Sequence, residues 1–242
     1  MGFLSRIGVG SATVDTILET DTVEPGDRID AHVEIEGGED DQEVDELELA
    51  VTTEYQVPAD DDYTYETAEL DEMELDGFRI DAGEEWTMDV PPIDIPATTP
   101  ATVSQTSVWV QTTLEIDWAA DPTDRDELTV NPGPHLDALL TAIENLGLVL
   151  DFADNAQSRF GPHPFAQFFE YENYGEAPWE NLDDIEFFVA PARDHLEVQV
   201  DVERTSSGLF SSDESRAQFT VTSTDPAEVQ STVRSVIDSN LD

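Results

Sequence analysis

The chain lacks cysteine and lysine, and apart from histidine its only basic side chains are nine arginines. Without cysteine it has no disulfide framework and no thiolate metal site. The arginines are scattered, whereas phosphate backbones and anionic membranes are bound by clustered basic residues, so we expect no nucleic-acid or membrane-surface binding. No apolar run is long enough to span a bilayer, and the N-terminus lacks the apolar core of a signal peptide. We therefore expect a cytoplasmic protein.

Acidic residues, by contrast, are in large excess. The sequence has 57 Asp and Glu residues and a formal net charge of −48. Hydrophobic residues make up 38% of it and recur at strand or helix spacing, so the chain should form globular domains in spite of its charge. The acid is spread over all segments, which favours adaptation to concentrated salt in an extreme halophile. The alternative is a mimic of DNA, in which the acid would gather on one surface.

Alternation of apolar and polar residues predicts β-strands through the first half of the chain. Leu47, Leu49 and Val51 fall on one side of a strand with a polar outer face, and 29–36 repeats the pattern after the turn Glu24–Asp27. Further runs lie at 63–70, 73–80, 86–90 and 107–117. These runs predict an N-terminal β-sandwich domain over residues 1–130, which ends before the Pro/Gly segment 131–134.

A helix and a second set of strands follow. Leu136, Leu139 and Ile143 recur at helical spacing, and Gly147 is a suitable stop. Strands are predicted at 165–172, 185–189, 196–203 and 217–222, so we expect residues 131–224 to form a C-terminal β-sandwich with a leading helix. Residues 225–242 begin with an Asp-Pro cap and form an amphipathic helix. We expect this helix to cover the second domain, and a partner-binding helix is the alternative.

No arrangement of residues indicates catalysis, so we predict that the chain is not an enzyme and has no catalytic, cofactor-binding or metal site. It contains no nucleophile motif and no phosphate-binding loop. The histidines at 32, 135, 163 and 195 lack the spacing of metal ligands. Asp121, Asp124 and Asp126 form the best oxygen-ligand cluster, but an Asx-type turn is favoured over a calcium site there.

Six segments carry a family resemblance. They are FLSRIGVGSATVDTILETDTVEPGDRIDAHVEIEGG, DELELAVTTEY, VPPIDIPATTP, VWVQTTLEIDWAADPTDRDELTVNP, FAQFFEYE and LDDIEFFVAPARDHLEVQVDVER. The first has a short lead, a strand, Pro-Gly-Asp, a second strand and Gly-Gly, and the next ends a long strand with an aromatic residue. In this order, over roughly residues 3–222, they resemble the sporulation-control protein family named after stage-zero sporulation protein M, which has an arrestin-like fold.

The resemblance implies two tandem arrestin-like β-sandwich domains that act as a scaffold or regulatory adaptor without an active site. Such a protein would bind protein partners through its sheet edges or the groove between its domains. The acidic composition indicates a haloarchaeal-type member, whose cellular role would not be sporulation. The identity of the partner and the formation of homo-oligomers stay open.

A carbohydrate-binding or carbohydrate-active β-sandwich is the alternative function. In it, Trp86, Trp109, Trp118 or Trp179 would line a sugar groove. Buried indoles would count against this alternative, because strand tryptophans are core residues by default.

Overall fold

The computed structural model describes residues 11–60, 62–116, 120–180, 182–192, 194–204 and 214–241. The strands are Thr13–Leu18 (β1), Thr22–Val23 (β2), Arg28–Ile29 (β3), Ala31–Glu36 (β4), Gln42–Pro58 (β5), Tyr63–Ile80 (β6), Glu85–Asp89 (β7), Ile93–Asp94 (β8), Val108–Ile116 (β9), Thr123–Val130 (β10), Val149–Gln157 (β11), Phe165–Glu172 (β12), Leu182–Pro191 (β13), Leu196–Arg204 (β14) and Glu214–Val221 (β15). The helices are Pro134–Asn145 (α1) and Pro226–Leu241 (α2). The predicted fold class, mostly β with these two helices, is confirmed. Neither helix has the length and apolar content that a membrane span requires among the residues described.

The chain divides into two compact units. The first contains the residues up to Thr53 together with Thr67–Thr99 and Ser107–Asn131. The second contains Glu54–Glu66, Pro100–Thr106 and the chain from Pro132 onward. The long consecutive strands β5 and β6 therefore contribute residues to both units.

The first unit has its core between two sheets. One sheet has the order β1–β4–β7, and the other has the order β5–β9–β10–β2 with β6 beside β5. Val33 and Ile35 of β4 are buried between the sheets, whereas Glu34 and Glu36 point to solvent. This alternation is the one that the sequence predicts for half-buried strands.

Strand β6 is longer than the sequence predicts. The two runs expected at 63–70 and 73–80 form a single strand of 18 residues. Leu70 and Met73 both pack against the core although they are three positions apart. The inward-facing phase therefore shifts by one residue between them, so that a single strand appears as two separate runs in the sequence.

The second unit packs one sheet against the two helices. The sheet has the order β15–β14–β13–β12–β11 with antiparallel neighbours, and Gln56 of β5 pairs with Ala156 of β11. The buried cluster between sheet and helices includes the side chains of Leu139, Ile143, Phe169, Phe187, Val200, Val233 and Ile237. Helix α2 therefore covers its own unit.

The helix ends follow the predicted signals. Gly147 adopts a φ of 88° after α1, and a Cβ there would lie 2.8 Å from the backbone of Glu176, so only glycine fits. Asp225 precedes α2, and its Oδ1 atom accepts a hydrogen bond from the backbone N–H of Ala227 at 2.9 Å. Pro226 occupies the first helical position.

Candidate functional site

The outer face of the second unit's sheet carries the candidate site, because α1 and α2 cover the inner face. A row of cross-strand neighbours runs over this outer face: Phe168 pairs with Phe188, Phe188 with Gln199, and Gln199 with Gln218. The rings of Phe168 and Phe188 are stacked 5.8 Å apart. The row therefore changes from aromatic to amide side chains toward the outermost strand, β15.

A pocket of about 500 Å³ lies over this row. We call it the arginine pocket, and its lining residues are Gln157, Ser158, Arg159, Phe160, Phe188, Gln199, Arg216 and Gln218. Its volume falls within the range of roughly 300–1,000 Å³ that is usual for ligand pockets. None of these eight described lining residues is acidic, although the chain has 57 carboxylates in 242 residues. The lining is instead made of three amides, one hydroxyl, two guanidinium groups and two phenyl rings.

The two arginines of the pocket differ in their surroundings. Arg216 on β15 forms two parallel hydrogen bonds to the carboxylate of Asp201 on β14, and the one from Nε is 2.7 Å long. This bidentate pairing fixes the guanidinium plane. Arg159 is exposed and forms no hydrogen bond or ion pair with another described residue. The pocket thus contains one guanidinium that is held in place and one whose charge is not compensated within the described part of the chain.

The loop that carries Arg159 lies tightly on the sheet. The backbone N–H of Ser158 donates to the carbonyl of Pro164 at 2.9 Å, and the N–H of Phe160 donates to the Ser158 hydroxyl at 3.0 Å. Gly161 has a φ of 97°, and a Cβ there would lie 2.7 Å from the Cβ of Ala190. These contacts place Arg159 at the rim of the pocket by backbone geometry.

A buried carboxylate supports the same face of the sheet. Asp154 of β11 is 0% exposed, and its Oδ2 atom accepts hydrogen bonds from the Tyr65 hydroxyl at 2.7 Å and the Gln56 amide at 2.8 Å. Its Oδ1 atom accepts a third bond from the N–H of Asn155 at 2.8 Å. Burial and the bond to Asp154 raise the pKa of Tyr65 to about 12. With both oxygens bonded, Asp154 ties Gln56 and Tyr65 to the sheet and has a structural role.

The first unit also has a pocket, and its chemistry is the opposite. It has a volume of about 450 Å³ and is lined by Thr13, Asp15, Glu34, Ile35, Glu36, Glu85, Trp86 and Thr87. Four of these eight residues are acidic and none is basic. Nothing beyond the acidic lining indicates a ligand there.

The structure places the predicted Asp121, Asp124 and Asp126 cluster in two different settings. Asp121 precedes β10, and its Oδ1 atom accepts a hydrogen bond from the N–H of Ile116 at 3.1 Å, which is not the bond of an Asx turn. The prediction was wrong for Asp124 and Asp126, which lie within β10 because that strand pairs with β9 from Thr123 onward. Among the residues described, no group of three His, Asp or Glu side chains is arranged to hold a metal ion.

Asp124 and Asp126 instead form a carboxyl pair beside β1. The Oδ2 atom of Asp124 accepts a hydrogen bond from the N–H of Thr16 at 2.7 Å. Desolvation, followed by the charge of Asp124, a hydrogen bond to it and the charge of Asp15, raises the pKa of Asp126 to about 7. The same surroundings raise the pKa of Asp15, with burial as the largest cause.

The four histidines lie on separate elements. His32 is on β4, where its Nε2 atom is 3.9 Å from the Glu34 carboxylate, and His135 is in α1. His163 stacks on Phe165 with a centroid distance of 5.3 Å, and burial lowers its pKa. His195 contacts the carboxylate of Asp194 at 2.9 Å, and this hydrogen bond lowers the pKa of Asp194.

The tryptophans do not form a sugar groove among the described residues. Trp109 is 2% exposed, with the Arg125 guanidinium 3.7 Å from its ring centroid. Trp179 is 8% exposed and donates from Nε1 to Asp238 at 2.6 Å. Trp86 is the exception, at 38% exposure, and Trp118 lies outside the described residues. The carbohydrate alternative is therefore not favoured.

The arginine pocket was not predicted from the sequence. Its lining comes from a loop and four strands, and only the strand register brings residues as distant as Gln157 and Gln218 together. One signal was available: Phe188 and Gln199 are uncharged residues at outward positions of β13 and β14, whose other outward positions are largely acidic.

Comparison with known proteins finds a family model and relatives that match most of the chain. A family model described as "Spo0M: SpoOM protein" matches residues 1–206. The sporulation-control protein spo0M of Bacillus subtilis (strain 168) is 34% identical over 216 residues, which are 86% of this chain and 83% of that protein. The crystal structure of Spo0M from Bacillus subtilis superposes with a TM-score of 0.82 at 29% sequence identity, covering 96% of this chain and all of that one.

Proposed function

This chain belongs to the Spo0M family, and from that membership we propose that it is a non-enzymatic regulatory adaptor that binds extended segments of partner proteins. The proposal keeps the tandem domains expected over residues 1–130 and 131–224 and the C-terminal helix, with the second domain built on one sheet. It also places the adaptor in a cytosol of high salt. Its cellular role is regulatory, as the name of the Bacillus relative suggests.

One observation carries the proposal: strand β15 is the outermost strand of its sheet and adjoins the arginine pocket. In the described part of the chain β15 pairs only with β14, so its other backbone edge has no strand partner. An unpaired edge binds an extended peptide through main-chain hydrogen bonds, and a neighbouring pocket selects its side chains. Arg216 and Gln218 of β15 themselves line the pocket.

Site-specific photocrosslinking tests whether this edge binds protein. A photoreactive phenylalanine analogue would replace Thr220, an exposed residue of β15. The matched control replaces Thr87, an exposed threonine of β7, which is the outermost strand of a sheet in the first unit. Both variants would be irradiated in molar KCl with cytosol of a halophile.

We expect a small set of proteins to crosslink from position 220 and to be absent from the position 87 control. Equal crosslinking from both positions would indicate non-specific contact and contradict the proposal. A lack of crosslinks from position 220, in a variant whose circular dichroism is that of the parent, would also contradict it.

A further inference from the structure

We propose that the arginine pocket binds a carboxylate carried by the extended segment of the partner, with Arg159 as its counter-ion. The inference rests on the proposed adaptor function for the source of the carboxylate. It goes beyond that function in naming the chemical group recognised and the residue that recognises it.

Arg159 differs from most arginines whose side chains the structure describes. Arg28, Arg79, Arg125 and Arg216 each form an ion pair with at least one carboxylate. Arg159 and Arg234 form none with a described residue. In a chain with 57 acidic residues, a guanidinium without a carboxylate is unusual, and Arg159 is the one of the two that lines a pocket.

The lining of the pocket is suited to an anion on a peptide. Its three glutamine side chains, Gln157, Gln199 and Gln218, offer donors and acceptors that match peptide groups. Gln218 donates to Gln199 at 3.3 Å, so these two amides already form a connected pair beside the β15 edge. Phe160 and Phe188 provide apolar contact for a side-chain stem.

The charge of the pocket favours a carboxylate over a phosphate. Arg216 is neutralised by its bidentate contact with Asp201, which leaves one guanidinium charge at Arg159. A guanidinium binds a carboxylate through two parallel hydrogen bonds, and one positive charge balances one carboxylate. A phosphate carries about −1.5 to −2 charges at neutral pH and is bound by clusters of basic groups.

The net charge of −48 does not prevent this recognition in concentrated salt. The Debye length falls from about 10 Å at 0.1 M to about 3 Å at 1 M, so long-range repulsion of an acidic partner is screened. Contacts at hydrogen-bond distance are weakened less, because no salt ion lies between two groups in direct contact. A halophilic partner, itself acidic, would offer many carboxylates, and the pocket would select one that lies in an extended segment.

Nuclear magnetic resonance in molar KCl at neutral pH tests the proposal on the full chain. The probes are the blocked peptide acetyl-Val-Thr-Glu-Val-Thr-amide and its counterpart with Gln in place of Glu. A third probe, acetyl-Val-Thr-Val-Thr with a free C-terminus, separates a terminal carboxylate from a side-chain carboxylate. Inorganic phosphate is the fourth probe. The signals followed are the side-chain amides of Gln157, Gln199 and Gln218.

We expect the Glu peptide to shift these signals at millimolar concentration and to bind at least about tenfold more tightly than the Gln peptide. The Arg159→Gln variant should lose this preference. Arg234→Gln removes the other uncompensated arginine, which lies on α2, and should retain it. Stronger binding of the free C-terminus than of the Glu peptide would assign the site to a terminal carboxylate and would support the proposal.

Three results would overturn the carboxylate site: equal binding of the Glu and Gln peptides, an unchanged preference in Arg159→Gln, or stronger shifts with inorganic phosphate than with any peptide. The crosslinking experiment separates this failure from that of the adaptor function. If the crosslinks from position 220 persist in Arg159→Gln, the adaptor function is supported and the carboxylate site is not. Peptide binding without crosslinks would retain the carboxylate site and contradict a protein partner.

Discussion

Two groups of carboxylates, one in each unit, have different neighbours. In the first unit Glu46 and Glu48 of β5 lie beside acidic residues of β6 and β9, and burial together with these charges raises their pKa values. In the second unit Asp154 meets three hydrogen-bond donors, and Asp201 meets Arg216. The charges of the first group repel one another, whereas those of the second are satisfied within the protein. Carboxylates in this chain therefore occur in at least two kinds of surroundings.

The acidic stripe of the first unit consists of Glu46, Glu48, Glu72, Glu74 and Glu115. It should make the fold depend on salt. We expect cooperative folding in molar KCl and loss of structure near or below about 0.1 M, where the screening length exceeds the spacing of the stripe. Circular dichroism during dialysis against decreasing KCl measures this, and an unchanged spectrum after desalting would refute it.

Two glutamine variants of equal net charge separate the effect of the stripe on salt dependence from the effect of overall charge. The stripe variant carries the substitutions E46Q, E48Q, E72Q and E74Q. The control changes four exposed glutamates elsewhere, by E19Q, E24Q, E176Q and E180Q. The stripe variant should unfold at a lower KCl concentration than the control, and equal midpoints would show that only total charge matters.

Asp154→Ala tests the carboxylate of the second unit. It would leave the Tyr65 hydroxyl, the Gln56 amide and the Asn155 N–H without their acceptor, at a cost of about 2–3 kcal/mol in the free energy of unfolding. Urea denaturation in molar KCl measures the change. Asp151→Ala, at an exposed position of the same strand, is the control and should change stability by less than about 0.5 kcal/mol. Similar losses in the two variants would contradict the structural role of Asp154.

The elements that the sequence predicted well are those whose burial follows a regular period. Strand β14 lies where the alternating apolar residues placed it, and α1 ends at the predicted glycine. In such segments the exposed and buried faces are set by the strand itself, so local periodicity is sufficient.

Strand β11 and the arginine pocket were not predicted, and the reason is the same for both. β11 buries Asp154 and Asn155 and has an irregular register between Leu150 and Phe152, so its apolar pattern is broken. Asp154 is tolerated in the interior only because Gln56 and Tyr65 donate to it from about a hundred residues earlier in the chain. Sites assembled through long-range pairing leave no local period in the sequence.

Asp126, in the first unit, provides the smallest and most specific test of how the surroundings of a carboxylate affect stability. Its pKa is raised to about 7, first by desolvation and then by Asp124 and Asp15, whereas its ordinary value is 3.8. A carboxyl group with a raised pKa in the folded state binds its proton more tightly there than in the unfolded state. Its contribution to stability is therefore fully present below about pH 4 and is lost as the pH rises through about 7.

Asp126→Asn keeps the shape of the side chain and removes this titration. We expect the variant to be more stable than the parent by about 1–2 kcal/mol near pH 8, a value reduced from the full pKa shift because the group is partly hydrated. Near pH 4 the two proteins should differ little, because Asp126 is then protonated in the parent. Urea denaturation across this pH range in molar KCl measures the difference, with exposed Asp30→Asn as the control. A gain that is the same at both pH values, or as large in the control, would mean that charge on the whole surface acts instead of the Asp124 and Asp126 pair. A gain confined to high pH would show that the ionised carboxylate of Asp126 destabilises the first unit even in concentrated salt.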